Sequence, residues 1–166
     1  MPSAFGHAAV ALALAPVVLG SGAPRRLLVL GVLSAVVPDL DVFVGEHRGA
    51  THSLCAAALL AGALVWIGLP RGSPFSRGRA FAYLFLAAAS HGLLDTLTDG
   101  GAGVALLAPF DWTRFHAPFR PIAVSPIGAQ RFFSARGLAV IASELVWLGI
   151  PCALLVLFAH IRRRPR

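Results

Sequence analysis

The chain has 166 residues, 57% of them hydrophobic and 13% charged, with a mean hydropathy of +0.78. A soluble domain of this size needs about a quarter of its residues charged to cover its surface, so the composition argues against a water-surrounded globule and for lipid as the solvent. The net charge of +7 comes from arginine alone, set in the connections and at the C-terminus without an aromatic-and-basic stripe, and no nucleic-acid partner is expected.

Five apolar stretches follow in order: about Phe5 to Gly20, Arg26 to Val37, Thr51 to Leu69, Ala80 to Leu97 and Leu138 to His160. A helix needs ~20 residues to span a bilayer, with ~17 near the lower limit. The last three stretches qualify. The first two are short, and Pro16 weakens the first, so they either cross or form a re-entrant hairpin. The expectation is an all-α, polytopic membrane bundle of about four to five helices, one domain over residues 1–166. Its longest connection, about 98–137, holds six aromatic residues and four prolines and reads as a lid or binding segment. Cys55 and Cys152 lie in apolar runs without CxxC spacing and read as small buried thiols. The N-terminus does not read as a signal peptide, since no basic residue precedes its apolar run.

With alternating crossings, one face carries Arg48, Arg114, Arg120, Arg131 and Arg136 together with Asp39, Asp41, Glu46, Asp99 and Asp111, and Asp95 close by. The other carries Arg25, Arg26, Arg71, Arg77, Arg79, Arg162, Arg163, Arg164 and Arg166, and no acid. Basic residues accumulate on the cytoplasmic side. The arginine-only face, with the C-terminus, is therefore expected in the cytoplasm and the acidic face outside.

That acidic face also gathers histidines. In Ser90-His91-Gly92-Leu93-Leu94-Asp95, a His and an Asp four apart on a helix reach one ion. An ionisable group in a membrane helix costs ~2.5–3.5 kcal/mol, which a divalent cation would offset. Pro38-Asp39-Leu40-Asp41 follows the second stretch. Read as an extended segment, it places both aspartates on one side, so either or both could ligate. His47-Arg48-Gly49-Ala50-Thr51-His52-Ser53 opens the third, with Thr51 as N-cap, His52 in the first turn, and Arg48 a candidate anion binder. His7 begins the first stretch on the same side. Asp111, Arg114, His116 and Arg120 lie in the proline–aromatic segment, as a flap over the site or part of an interfacial aromatic belt. Glu144, about seven residues into the last stretch, is a further ligand, a general base or a helix-packing partner.

This order of residues resembles the YdjM-like inner-membrane metal-dependent hydrolases: His7, PDxD at Pro38–Asp41, HRG-x-THS at His47–Ser53, SHxxxD at Ser90–Asp95, and the proline–aromatic segment Pro109–Pro121. Glu144 falls where that family tends to carry an acid. More distantly, the order is similar to zinc-dependent phospholipase C and the single-strand-specific nucleases. That resemblance implies His7, Asp41 (or Asp39), His52, His91 and Asp95 as metal ligands, with His116 for a further His. Val140 stands where those enzymes have the His of a later His-xxx-acid pair, so one or two ions are implied rather than three.

The resemblance implies an inner-membrane hydrolase whose ion is zinc, with manganese or iron as alternatives. The ion would activate water against a phosphoester, in a lipid, a lipid-linked substrate or a small molecule. Asp39, or Asp41 if it does not ligate, would take the water's proton. Arg48, Arg114 and Arg120 would stabilise the anionic transition state, and His47 would touch substrate. The alternatives are a non-catalytic, metal-stabilised membrane scaffold or partner-binding protein, and, more weakly, a transporter.

Overall fold

A computed structural model of the chain describes residues 1–20, 22–43, 47–73, 75–126 and 129–163. Glu46, Arg164 and Arg166, counted above by face, lie outside the described residues. The described residues are helical and form no strand; two isolated bridges, Thr98 with Ile122 and Val104 with Phe115, tie the long connection together. The helices are α1 (Ala4–Val18), α2 (Arg25–Val36), α3 (Leu54–Gly68), α4 (Arg77–Thr96), the single turn α5 (Ala129–Phe132) and α6 (Ala135–Ile161).

Each boundary has a local cause. The Ser3 hydroxyl accepts from Gly6 N at 3.2 Å and starts α1, which continues through Pro16 to Val18. Pro38 has no N–H to continue α2, and the backbone tightens into a 3-10 turn over Val37–Phe43. The cap of α3 is Ser53, whose hydroxyl accepts from Ala56 N at 3.1 Å. Thr51, expected in that role, lies instead in a 3-10 turn, Ala50–His52, with its hydroxyl turned to Asp41. That late start, with Pro70 just past the end, cuts α3 to 15 residues, fewer than its apolar stretch implied. In α6 a π turn, Leu145–Gly149, absorbs the missing N–H of Pro151 and keeps the helix continuous.

α4 is the hub. It packs against α1, α2 and α3, while α6 lies along α1. Small residues make the contacts in the middle of the bundle: Ala11, Ala35 and Ala87 meet at the centre, and Ala57, Ala88 and Ala89 between α3 and α4, while Leu27, Val65, Tyr83 and Leu84 pack nearer the start of α4. Other large apolar side chains point outward, among them Leu59, Trp66 and Ile67 on α3 and Leu138, Leu154 and Phe158 on α6. Small residues inside and large apolar ones outside is the arrangement of helices packed in lipid. One helix, α6, is both long and apolar enough to cross a bilayer; α1 and α3 are apolar but have 15 residues each.

The connection after α4 is a cap stitched down backbone to backbone. Ile122 N donates to Leu97 O, Ala117 N to Thr96 O, Ala105 N to Arg48 O and Leu54 N to Leu106 O, at 3.0–3.2 Å. It buries Val104, Ala105, Ala108 and Ile122 over the ends of α3 and α4.

Candidate metal centre

Five polar side chains meet beneath that cap: His7 from the first turns of α1, Asp39 from the 3-10 turn after α2, His52 from the turn before α3, and His91 and Asp95 one turn apart on α4. All are buried. Ligand atoms of Asp39, His52, His91 and Asp95 lie within 4.8 Å of one another. His52 Nε2 is 3.0 Å from His91 Nε2, 3.8 Å from Asp39 Oδ1 and 3.6 Å from Asp95 Oδ2. His91 Nε2 is 3.3 Å from Asp39 Oδ1. The His7 ring stacks on that of His91 at 3.9 Å, with its Nε2 3.7 Å from Asp95 Oδ1.

The outer hydrogen bonds fix the tautomers. His91 Nδ1–H donates to the Ala35 carbonyl at 2.6 Å, which a carbonyl can only accept. Thr51 gives its single hydroxyl proton to Asp41 Oδ2 at 2.6 Å, leaving His52 Nδ1–H to donate to the same carboxylate oxygen at 3.1 Å or to Thr51 Oγ1 at 3.0 Å. Burial holds His52 below the usual imidazole range, against the pull of Asp39. With Nδ1 carrying a proton on both rings, each turns its Nε2 into the cluster, toward the other. Neither oxygen of Asp39 or Asp95 and neither nitrogen of His7 has a hydrogen-bond partner. A buried polar group left unpaired costs ~1–3 kcal/mol, and a charged one more. Three aspartates against the one arginine in contact with them leave a formal charge of minus two. A proton or a cation must sit between the rings, and a divalent cation fits both the charge and the donor set. The His/Asp group could hold a metal ion.

The aspartates of PDxD do not share a side. Tightening to three residues per turn instead of an extended strand sends Asp39 toward Nε2 of His52 and Asp41 toward Nδ1 of the same ring. Asp41 also accepts from His47 Nδ1 at 2.7 Å, and the trio Asp41, His47 and His52 forms a second, more open group. Carboxylates that hold the far nitrogen of a ligating imidazole fix its orientation and raise its basicity.

Arg48 is buried, with its backbone in the left-handed region at φ 65°. Its Nε lies 3.1 Å from Asp95 Oδ2, Nη2 donates to Thr98 Oγ1 at 2.8 Å, and Nη1 donates to Gly100 O and Ala102 O at 3.1 and 2.8 Å. It ties Asp95 to the cap rather than reaching for an outside anion. Arg114 Nη1 similarly donates to Gly103 O at 3.1 Å. Asp111, His116 and Arg120 are exposed; Asp111 accepts from Thr113 N, which holds its carboxyl below the usual range. Glu144 is buried against Ser3, accepting from its backbone N–H and, at 2.6 Å, from its hydroxyl. It joins α6 to the start of α1 and makes no recorded contact with the cluster. Gly92, inside SHxxxD, makes the cluster possible. A side chain there would overlap the His52 carbonyl, so its lack of one lets the His52 turn approach His91. The glycine inside SHGLLD is the only trace of this close approach in the sequence.

Lipid-type packing around a buried His/Asp cluster defines a helical membrane protein with a candidate metal centre. The model of the YdjM inner membrane protein family matches residues 1–165, and the chain belongs to that family. It is 39% identical over 179 aligned positions to the inner membrane protein YbcI of Escherichia coli (strain K12), covering 99% of this chain and all of that one. No solved structure matches it significantly.

Proposed function

We propose that the protein is an integral-membrane, metal-dependent hydrolase of a phosphoester, carried by a lipid or lipid-linked molecule. The observation that carries this reading is the pair of imidazole Nε2 atoms 3.0 Å apart beside carboxylate oxygens that make no hydrogen bond. Asp39, His52, His91 and Asp95 would hold the ion, with His7 against Asp95; zinc suits the mixed donors best, with manganese or iron as alternatives, and one or two ions. When bound, such an ion supplies Lewis acidity and a water of lowered pKa. Asp41 and the Ala35 carbonyl orient the two imidazoles. Asp39 Oδ2, unpaired and at the edge of the cluster, is the group to take the water's proton.

The remaining helices would cross with α6 as a bundle, which the outward apolar side chains of α1 to α4 support. The arginine-only end would face the cytoplasm and the cluster the outside, by the distribution of basic residues. A second reading, a metal-stabilised scaffold without turnover, is favoured by the internal engagement of Arg48. Vesicle-reconstituted, metal-loaded protein offered nitrophenyl phosphodiesters and phospholipids separates the two. Hydrolysis lost in Asp39→Asn, with bound metal retained, supports the enzyme; no hydrolysis of any phosphoester by metal-loaded protein supports the scaffold.

A further inference from the structure

We propose that the turn carrying Asp39 and Asp41 is itself immersed in the bilayer, so that the cluster opens sideways onto lipid and takes a membrane-resident amphiphile rather than a water-soluble phosphoester. The substrate half of this rests on the hydrolase reading; the immersion does not.

The stripe of exposed residues on α2 is the starting point. Val29, Leu33 and Val37, four apart, are 57%, 49% and 39% exposed, which is the lipid-facing line of an α-helix. At Pro38 the backbone changes to three residues per turn, where positions three apart eclipse. The exposed residues change period with it: Val37, Leu40 and Phe43 are 39%, 56% and 82% exposed. Pro38, Asp39 and Asp41 turn inward. The apolar stripe thus keeps its line through a change of helix type, with Val37 belonging to both periods, and carries no charge. A water-facing cap would place polar residues at those very positions.

Lengths agree with this. The 12 residues of α2 and the seven of the turn give roughly 32 Å at ~1.5 and ~2.0 Å per residue, against a hydrocarbon core of ~30 Å. On α4, counted from Arg77, His91 lies about 21 Å and Asp95 about 27 Å along the axis. Both counts put the cluster just beneath the far surface of the hydrocarbon, not above it. Of the five cluster side chains only Asp39 has measurable exposure, 10% against zero for the others; its carboxylate oxygens are covered, so it forms the thin wall of the cluster, with Leu40 its sequence neighbour on the rim. On the cap side of Arg48 lies a separate cavity of about 220 Å³, lined by His47, Arg48, Gly101 and Ser125 among others.

Spin labels test the immersion. With Cys55 and Cys152 replaced by Ala, single cysteines are placed at Leu40 and Phe43, at Leu33 as the lipid reference and at the exposed loop residue Gly72 as the aqueous one. Each is labelled in the full chain and reconstituted in phosphatidylethanolamine–phosphatidylglycerol vesicles. Collision with oxygen is compared with collision with a water-soluble nickel chelate. Immersion is expected to give labels at 40 and 43 an oxygen-dominated ratio, below that of the deeper position 33 and several-fold above that of position 72. An aqueous ratio at both positions overturns it, as does low collision with both reagents, which would mean a protein contact such as a second copy covers the ridge. Phospholipid hydrolysis by the metal-loaded protein in the same vesicles tests the hydrolase reading separately, so either can fail without the other.

Discussion

The two ends of α4 are buried alike and built for opposite purposes. Near its start, Ala80, Tyr83 and Leu84 pack with Leu27 of α2 and Ala61 and Val65 of α3, and the Tyr83 ring lies where Gly31 has no side chain. One neutral hydroxyl, that of Tyr83, is left without a partner there. Three turns on, the same helix presents His91 and Asp95 to a cluster in which the oxygens of two carboxylates and the nitrogens of an imidazole make no hydrogen bond, and where Arg48 is the cation beside Asp95. A lone hydroxyl is a tolerable packing cost of ~1–3 kcal/mol. Two buried carboxylates with one arginine between them are not, because the remaining buried charge needs a partner. Apolar packing therefore stabilises one end by itself, while the other is left waiting for a cation.

Substitutions can break or sharpen this contrast, beginning with two glycines. Gly92→Ala pushes the His52 carbonyl away from His91 and is expected to weaken zinc binding by about 100-fold, the upper range for a displaced supporting contact, as read by competition with a chelator of known affinity. Gly31→Ala collides with the Tyr83 ring instead. It should lower stability by roughly 1–3 kcal/mol through overpacking while leaving metal stoichiometry intact. If Gly31→Ala also emptied the site, the two ends would not be separable. Asp41→Asn comes next: it removes the carboxylate that receives the His52 proton, with an expected loss of about 10-fold in affinity and no loss of stoichiometry. Full loss of metal would make Asp41 a direct ligand.

Glu144→Gln tests the acid that lies outside the cluster. Its bonds to Ser3 are charge-assisted, so about 1 kcal/mol of stability should go with metal binding unchanged. A fall in metal content would place Glu144 at the centre. The smallest effect is expected of Tyr83→Phe, which deletes an unpaired hydroxyl and should shift thermal unfolding in detergent by less than about 1 kcal/mol in either direction.

Much of this was legible because hydropathy and the i, i+4 rule are local. The five apolar stretches match α1, α2, α3, α4 and α6, and His91 with Asp95 needed only the helical period. The aspartates were legible as residues but not in their division of labour, since that follows from the 3-10 geometry that Pro38 imposes. Thr51 reads as a cap by type, yet Ser53 takes the cap and Thr51 turns to Asp41. Partners far apart in sequence left no signal: Glu144 with Ser3, 141 residues away, and Arg48 with the Thr98–Ala102 segment of the cap. Hydropathy gave the helices but not their lengths, since helix ends are set by caps and prolines rather than by where apolar residues stop.

Elemental analysis of detergent-purified protein beside a His91→Ala/Asp95→Ala variant is the most direct test of the metal centre. The account expects at least one equivalent of a divalent transition metal in the wild type and none in a variant that stays monodisperse and helical. Folded wild-type protein that carries no metal and takes none up on addition would contradict it, and would leave a protonated histidine bridging Asp39 and His52 as the content of the cluster.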